Sequence, residues 1–369
     1  MVSPSLSRRQ FFKHGRSAIA ALTTFTLAHW IHQPSQARLR QSDPIADLET
    51  QIPRLMQQSR VPGLAIAIVK NGELLWSQGF GRRNHKQPYP VDNRTIFAAA
   101  SLGKPLFAYT VLKLVEQGQL DLDVPLTAYT AKPYIKDSRI EQITARTVLC
   151  HTTGFPNWSG SAPVWIQATP GTRFGYSGEG YLYLQRVVER ITGQPLAPYI
   201  RQNTLVPLRM SDSSYIWETR YQDVATAGHN RQSHPSPMGR PKTALSAGSL
   251  RTTASDFARF LIAMMTEGTP ESPYLTTATL AEMLRPQIVL SQSLSWGLGW
   301  GLEQTPDGPF FWHWGDSGSF KSFTAASRSL KTGIVILTNS ANGLRICPTI
   351  VRLAIGGQHP AFGLKMIRY

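Results

Sequence analysis

A serine and a lysine stand three residues apart in the stretch Ala98-Ala99-Ala100-Ser101-Leu102-Gly103-Lys104-Pro105. On a helix this spacing is slightly less than one turn, so hydroxyl and amine project from one face and can meet. A serine hydroxyl is a poor nucleophile until something takes its proton, and a desolvated lysine with a lowered pKa can do so. Pro105 lacks a backbone donor and is comfortable only within about the first helical turn, which sets Ser101 at or beside the helix N-terminus. There the unpaired N–H groups and the positive end of the dipole favour a developing alkoxide and can donate to an oxyanion. The chemistry expected is acylation of Ser101, with Lys104 as its base.

The helix that carries the pair is legible in Phe107, Val111, Leu114 and Val115, with Gly118 where a C-terminal glycine belongs. Upstream, Asp47 to Arg60 reads as an amphipathic helix through Leu48, Ile52, Leu55 and Met56, ended by Val61-Pro62-Gly63. Leu64 to Lys70 and Glu73 to Phe80 read as strands joined by the Asn71-Gly72 hairpin turn. From about Thr110 to Met283 helical patterns alternate with loops: a short helix from Ile143-Thr144 to His151-Thr152-Thr153-Gly154, and one over Tyr181 to Ile191 closed by Gly193. A capping box, Thr253-Ala254-Ser255-Asp256, precedes a helix with Phe257, Phe260, Leu261 and Met264 on one stripe. After Arg285-Pro286, strands are expected at Trp296 to Gln304, Pro309 to Trp314, Phe320 to Ser329 and Ile334 to Asn339, then a helix from Leu344 to Ala354.

Hairpins at both ends of the chain need partners to bury their apolar faces, and joining them in one sheet is the simplest solution. The expected architecture is α/β of the α+β type: an antiparallel sheet flanked by helices, from about residues 47–100 plus 285–369, with an inserted, mainly helical lobe at about 101–284. Ser101 lies at their junction, where clefts tend to form.

With 369 residues, 41% hydrophobic and 16% charged, the chain can bury a large core. Residues 1–37 read as a targeting segment, set apart from a domain at 38–369. Ser7-Arg8-Arg9-Gln10-Phe11-Phe12-Lys13 resembles a twin-arginine export signal, and Ser17 to Ile31 supplies an apolar region too short and too broken by Thr23, Thr24, Thr26 and His29 for a stable span. Cleavage after Ser35-Gln36-Ala37 removes Arg8, Arg9, Lys13 and Arg16 and leaves +12 of the formal +16 charge. Such a surface suits solubility or approach to anionic envelope polymers. Without a nucleic-acid module or a basic run, it does not argue for nucleic acid. Cys150 and Cys347 read as small buried apolar residues rather than a bridge. No His-Glu-x-x-His or paired-cysteine spacing suggests a metal, and no cofactor is expected.

The order Ser101-Leu102-Gly103-Lys104, His151-Thr152-Thr153-Gly154, Tyr176-Ser177-Gly178, His313-Trp314-Gly315 resembles the class C β-lactamase-like serine hydrolases. That family includes D-alanyl-D-alanine peptidases and bacterial esterases. The similarity runs from Val61-Pro62-Gly63 to Leu337-Thr338-Asn339. It takes in Gly118-Gln119-Leu120-Asp121-Leu122-Asp123, Pro170-Gly171-Thr172 and Pro207-Leu208-Arg209-Met210. The resemblance implies that Ser101 is the acylated nucleophile and Lys104 its base. Tyr176 is implied as the phenol that carries a proton to the leaving group and later activates water, its phenolate stabilised by Lys104. The implied oxyanion donors are the N–H groups of Ser101 and Asp316, the latter on an edge strand, with Gly315 leaving room for substrate. Lys331-Thr332-Gly333 spells a tripeptide familiar from penicillin-recognising enzymes, but it sits between two strand patterns and reads as a hairpin turn.

Two departures bear on substrate. His313 stands where β-lactamases usually have lysine and is a weaker anchor for a carboxylate. Gly178 stands where they have asparagine, so an amide that grips an acylamino group is missing. Glu179 reads as a first-turn acid favoured by the dipole, and His151 as a structural residue bonding its loop. The substrate implied is a small ester, a D-amino acid peptide or a β-lactam. The rival expectation, raised by His313 and Gly178, is an inactive binder of cell-wall peptides.

Overall fold

The computed structural model describes residues 44–269 and 271–367; the expected twin-arginine leader lies outside them. Helix α1 (Pro44–Ser59) buries Leu48, Ile52 and Met56. Strands β1 (Gly63–Lys70) and β2 (Glu73–Gly81) follow. Asn71 and Gly72 both take positive φ (56° and 78°), which makes a two-residue hairpin loop whose twist matches that of its strands. The C-terminal third supplies β7 (Ile288–Val289), β8 (Leu294–Trp296), β9 (Gly301–Thr305), β10 (Gly308–Asp316), β11 (Lys321–Ser327) and β12 (Thr332–Thr338), then α8 (Cys347–Ile355). Between these groups come β3 (Phe97–Ala100), α2 (Gly103–Glu116), α3 (Ala145–Leu149), α4 (Gly178–Thr192), α5 (Leu196–Ile200), β4 (Gly228–His229), β5 (Pro235–Ser236), β6 (Leu250–Thr252), α6 (Ala254–Met265) and α7 (Thr277–Met283).

The ends do join. The main sheet runs β2-β1-β12-β11-β10-β9-β8-β7, every neighbouring pair antiparallel, with β1 seated between β2 and β12. Strand alternation then sorts side chains to two covered faces. Ala65, Ala67 and Val69 of β1, with Val335 and Leu337 of β12, face the core shared with α2 and α6. Leu64, Ile66 and Ile68, with Ile334 and Ile336, face the core shared with α1 and α8. Each such aliphatic side chain removed from water is worth about 1.5–3 kcal/mol, and a sheet clad on both sides explains why β1 reads as an unbroken apolar run. Helix α2 is buried almost all round, the signature of a helix inside a core rather than on it.

Three expectations need correction. Trp296 to Gln304 is not one strand: the chain turns between β8 and β9, where Gly299 adopts φ +88° and its missing Cβ leaves room for Ala108 of α2. Thr253 caps α6 by accepting from the Asp256 N–H, but no capping box forms. The Asp256 carboxylate turns away to accept from the Asp212 N–H and the Ser213 hydroxyl, both at 2.8 Å. Strand β10 is an interior strand of the sheet. Its pairing with β9 nevertheless stops at Trp312, so from His313 to Asp316 only β11 bonds it.

Residues 328–331 form the hairpin turn between β11 and β12, with Lys331 at φ +48°; of the expected turn Lys331-Thr332-Gly333, Thr332 and Gly333 instead open β12, where they pair with Ser327 and Ala326. Cys150 and Cys347 are free and buried in one apolar core. Among the described residues no helix is long and apolar enough to cross a membrane, and no group of acidic, histidine or cysteine side chains could hold a metal ion.

Candidate active site

Strand β3 ends at Ala100, whose φ of +51° is a left-handed conformation that alanine rarely adopts. This sharp reversal sends the chain into α2 and leaves Ser101 at the tip of the turn, partly exposed, with Lys104 in the first helical turn behind it. Lys104 is fully buried, and its Nζ lies 3.1 Å from Ser101 Oγ and 2.6 Å from the Ala247 carbonyl oxygen. Burial without a counter-ion penalises the ammonium and pulls its pKa down to about 7. The amine donates to Ala247 and, when neutral, holds a lone pair for the Ser101 proton.

The carbonyl that aims the amine sits in a well-braced loop. Gln185 of α4 donates to the Ala244 oxygen and accepts from the Ser246 N–H. The Ser246 hydroxyl donates to the Tyr181 oxygen, and the Ser249 hydroxyl to the Tyr215 oxygen. Sequence reasoning passed over Leu245-Ser246-Ala247-Gly248; its small residues ahead of β6 were the available signal.

Tyr176 enters the same cleft from the loop before α4. His151 grips the backbone on both sides of it: its carbonyl accepts from the Gly175 N–H at 2.8 Å and its ring Nδ1 accepts from the Ser177 N–H at 3.1 Å. Its ring also lies 4.3 Å from that of Tyr176, centroid to centroid. His151 thus bonds the loop backbone, as expected. Ser177 caps α4 by accepting from the Gly180 N–H. The Tyr176 hydroxyl is buried, and burial raises its pKa well above the usual tyrosine range, opposed only by Ser101. Lys104 Nζ sits 4.8 Å from the ring centroid, over its face. Burial thus favours the phenol of Tyr176 over the expected phenolate, while an amine with a pKa of about 7 passes between base and ammonium near neutral pH.

His313 is not a substrate anchor. It shares the face of Phe311, is fully buried near Trp300, and donates Nδ1–H to the Trp314 oxygen at 2.7 Å. Burial, reinforced by Lys104, drops its pKa to about 3, which favours the neutral ring; His313 lies behind the cleft lining, its centroid 6.2 Å from that of Tyr176. Gly315 also has another reason than room for substrate. A Cβ there would lie 2.2 Å from both the Ala99 oxygen and Ser322 Oγ, and the Ser322 hydroxyl donates to that same Ala99 oxygen. The missing side chain lets β10 press against β3, which brings Asp316 beside Ser101. Asp316 is exposed, lines the cleft and pairs with Lys321.

Gly178 holds no substrate position either. A Cβ at 178 would fall 2.6–2.9 Å from the ring of Trp158. That tryptophan, missed in the sequence, is a cleft wall with Leu245, Trp314 and Met366, around a space of about 560 Å³ that contains Ser101 and Tyr176. Glu179 does not reach substrate; it accepts from the Ser159 N–H and hydroxyl at 2.9 and 2.8 Å. Among the described residues lining the cleft none is cationic, and Asp316 is the one carboxylate.

The Beta-lactamase family model matches residues 48–348. Esterase EstB of Burkholderia gladioli is 26% identical over 236 residues, 56% of this chain and 60% of the esterase. Penicillin-binding protein 4 of Amycolatopsis lactamdurans is 24% identical over 332 residues, 82% of this chain and 87% of that protein. Protein flp of Staphylococcus aureus is 24% identical over 81% of this chain, which spans 64% of flp. The chain thus spans less than two thirds of the esterase and of flp. A beta-lactamase/D-alanine carboxypeptidase from Pseudomonas syringae superposes with a TM-score of 0.75 at 18% identity, over 85% of this chain and 98% of that one, which is a likeness of fold. The matched segment runs from α1 into α8 and contains Ser101, Lys104, Tyr176 and Asp316, so the chain belongs to the beta-lactamase family.

Proposed function

We propose that this protein is an extracytoplasmic serine hydrolase that forms an acyl-enzyme at Ser101, with neutral esters as its best substrates. One observation carries the reading: a buried amine with a pKa near 7 stands 3.1 Å from the hydroxyl of Ser101. In the first step Ser101 Oγ attacks the ester carbonyl as its proton passes to Lys104 Nζ. The N–H groups of Ser101 and Asp316 receive the oxyanion. Tyr176 gives its phenolic proton to the departing alcohol and is refilled from the Lys104 ammonium. Water then attacks the acyl-enzyme, a proton moves to Lys104, and Ser101 leaves with that proton restored.

The described lining holds no cation, and Lys321 beside it is already paired with Asp316, which disfavours β-lactams and peptides that present a carboxylate. The likeness to an esterase supports the same choice. The reading places the mature protein outside the cytoplasm through the twin-arginine leader at residues 1–37, with a basic surface suited to anionic envelope polymers. A fluorophosphonate probe should label the wild type and leave Ser101→Ala unlabelled. Equal labelling removes Ser101 as nucleophile. Labelling without turnover of esters, D-amino acid peptides or lactams favours the inactive peptide binder instead.

A further inference from the structure

The loop that carries Trp158 is clamped to the first turn of α4 from both sides of the indole. On one side the Asn157 carbonyl oxygen accepts from the Gly178 and Glu179 N–H groups, and Asn157 Oδ1 also accepts from Gly178 N–H. On the other the buried Glu179 carboxylate accepts both donors of Ser159. Between these clamps the six-membered ring of Trp158 covers the space that any side chain at 178 would need, and the residue is still half exposed beside the cleft. Its centroid is 6.0 Å from Lys104 Nζ, so the indole wall begins where the reacting atoms end. A large aromatic face held rigid, exposed and next to a nucleophile is pre-organised to receive an apolar group with little ordering cost. The neighbouring walls, Leu245, Trp314 and Met366, are of the same character.

We propose that Trp158 is the residue that sets the acyl preference of this site, selecting alkyl or aryl carboxylic acyl groups long enough to lie on the indole. Gly178 is the permissive half of the pair, because a side chain there would evict the ring. The inference rests on the acyl-enzyme reading of Ser101 but fails separately from it. A short acyl chain such as acetyl leaves the wall uncovered, whereas hexanoyl or phenylacetyl covers it and is desolvated against it.

The test compares kcat/KM for 4-nitrophenyl hexanoate with that for 4-nitrophenyl acetate, in wild type, Trp158→Ala, Trp158→Phe and Gly178→Asn. Losing an apolar wall is worth about tenfold or more in discrimination. Trp158→Ala should therefore lower the hexanoate-to-acetate ratio by about tenfold, chiefly through KM for hexanoate. Trp158→Phe should restore most of it, and Gly178→Asn should lower it with the indole still in the chain. An unchanged ratio in Trp158→Ala that still takes the fluorophosphonate label overturns the assignment. Failure of the label on wild type instead overturns the acyl-enzyme reading. Should Gly178→Asn not fold, the two variants at the half-exposed position 158 decide the matter.

Discussion

The depressed pKa of Lys104 makes a pH profile the sharpest probe of this site. The amine drops from 10.5 to about 7 through burial alone. A shift of that size corresponds to about 5 kcal/mol against the charged form. At pH 7.5 about three quarters of the molecules would then carry the free base, whereas an ordinary lysine would supply about one in a thousand. Acylation of Ser101 should follow that fraction: level above pH 8, half its plateau near pH 7, and about a hundredfold down at pH 5. The measurement is the second-order rate of fluorophosphonate labelling between pH 5 and 9.5, with circular dichroism confirming the fold at each point. Lys104→Met keeps the volume of the side chain and deletes the base. It should label about a thousandfold more slowly at pH 8, yet remain folded, since an apolar group replaces an amine that was costly to bury. A profile flat from pH 5 to 8, or one that breaks only above pH 9, would refute the assignment of Lys104 as the proton acceptor.

Two further perturbations test the supports of the site. His313 has a folded pKa of about 3 against an ordinary value of 6.5. The unfolded chain therefore binds the extra proton between those values, and stability is complete above pH 6.5 and falls as the pH drops toward 3. At pH 4.5 the loss from this group is on the order of 3 kcal/mol; a urea titration of His313→Gln should show a shallower decline from its own pH 7 value. Gly315→Ala drives a methyl group against the Ala99 oxygen and Ser322 Oγ, so β10 must retreat from β3. The expected outcome is about 1–3 kcal/mol of destabilisation in a melt and slower labelling of Ser101. A variant as stable and as fast as the parent would show that the strand contact does not set the site.

Much of this arrangement is legible in the sequence because it is local. The β1–β2 hairpin follows from Asn71-Gly72, and the meeting of Ser101 with Lys104 follows from helical spacing, which the strained Ala100 completes. What escapes the sequence depends on residues far apart in it. Trp158 finds its place only because position 178 is glycine, and Ala247 aims an amine well over a hundred residues earlier in the chain. His313 shows the same dependence: its place in the motif His313-Trp314-Gly315 singles it out, and strand alternation buries it on the face of Phe311. Asp316 shows the limit of counting strands, since a strand can be interior to a sheet and still have one bare side near its end.

The seating of β1 between its hairpin partner and β12 has a consequence for synthesis on the ribosome. The register pairs Leu64 with Thr338 and Val69 with Gly333, so the first hairpin to emerge waits for β12, the last strand among the described residues. Until then an apolar strand keeps an open flank, ready to pair with another unfinished chain. Nor can the active cleft form early, for Asp316 and Met366 arrive late as well. A nascent chain released before residue 338 should be both inert and prone to aggregate.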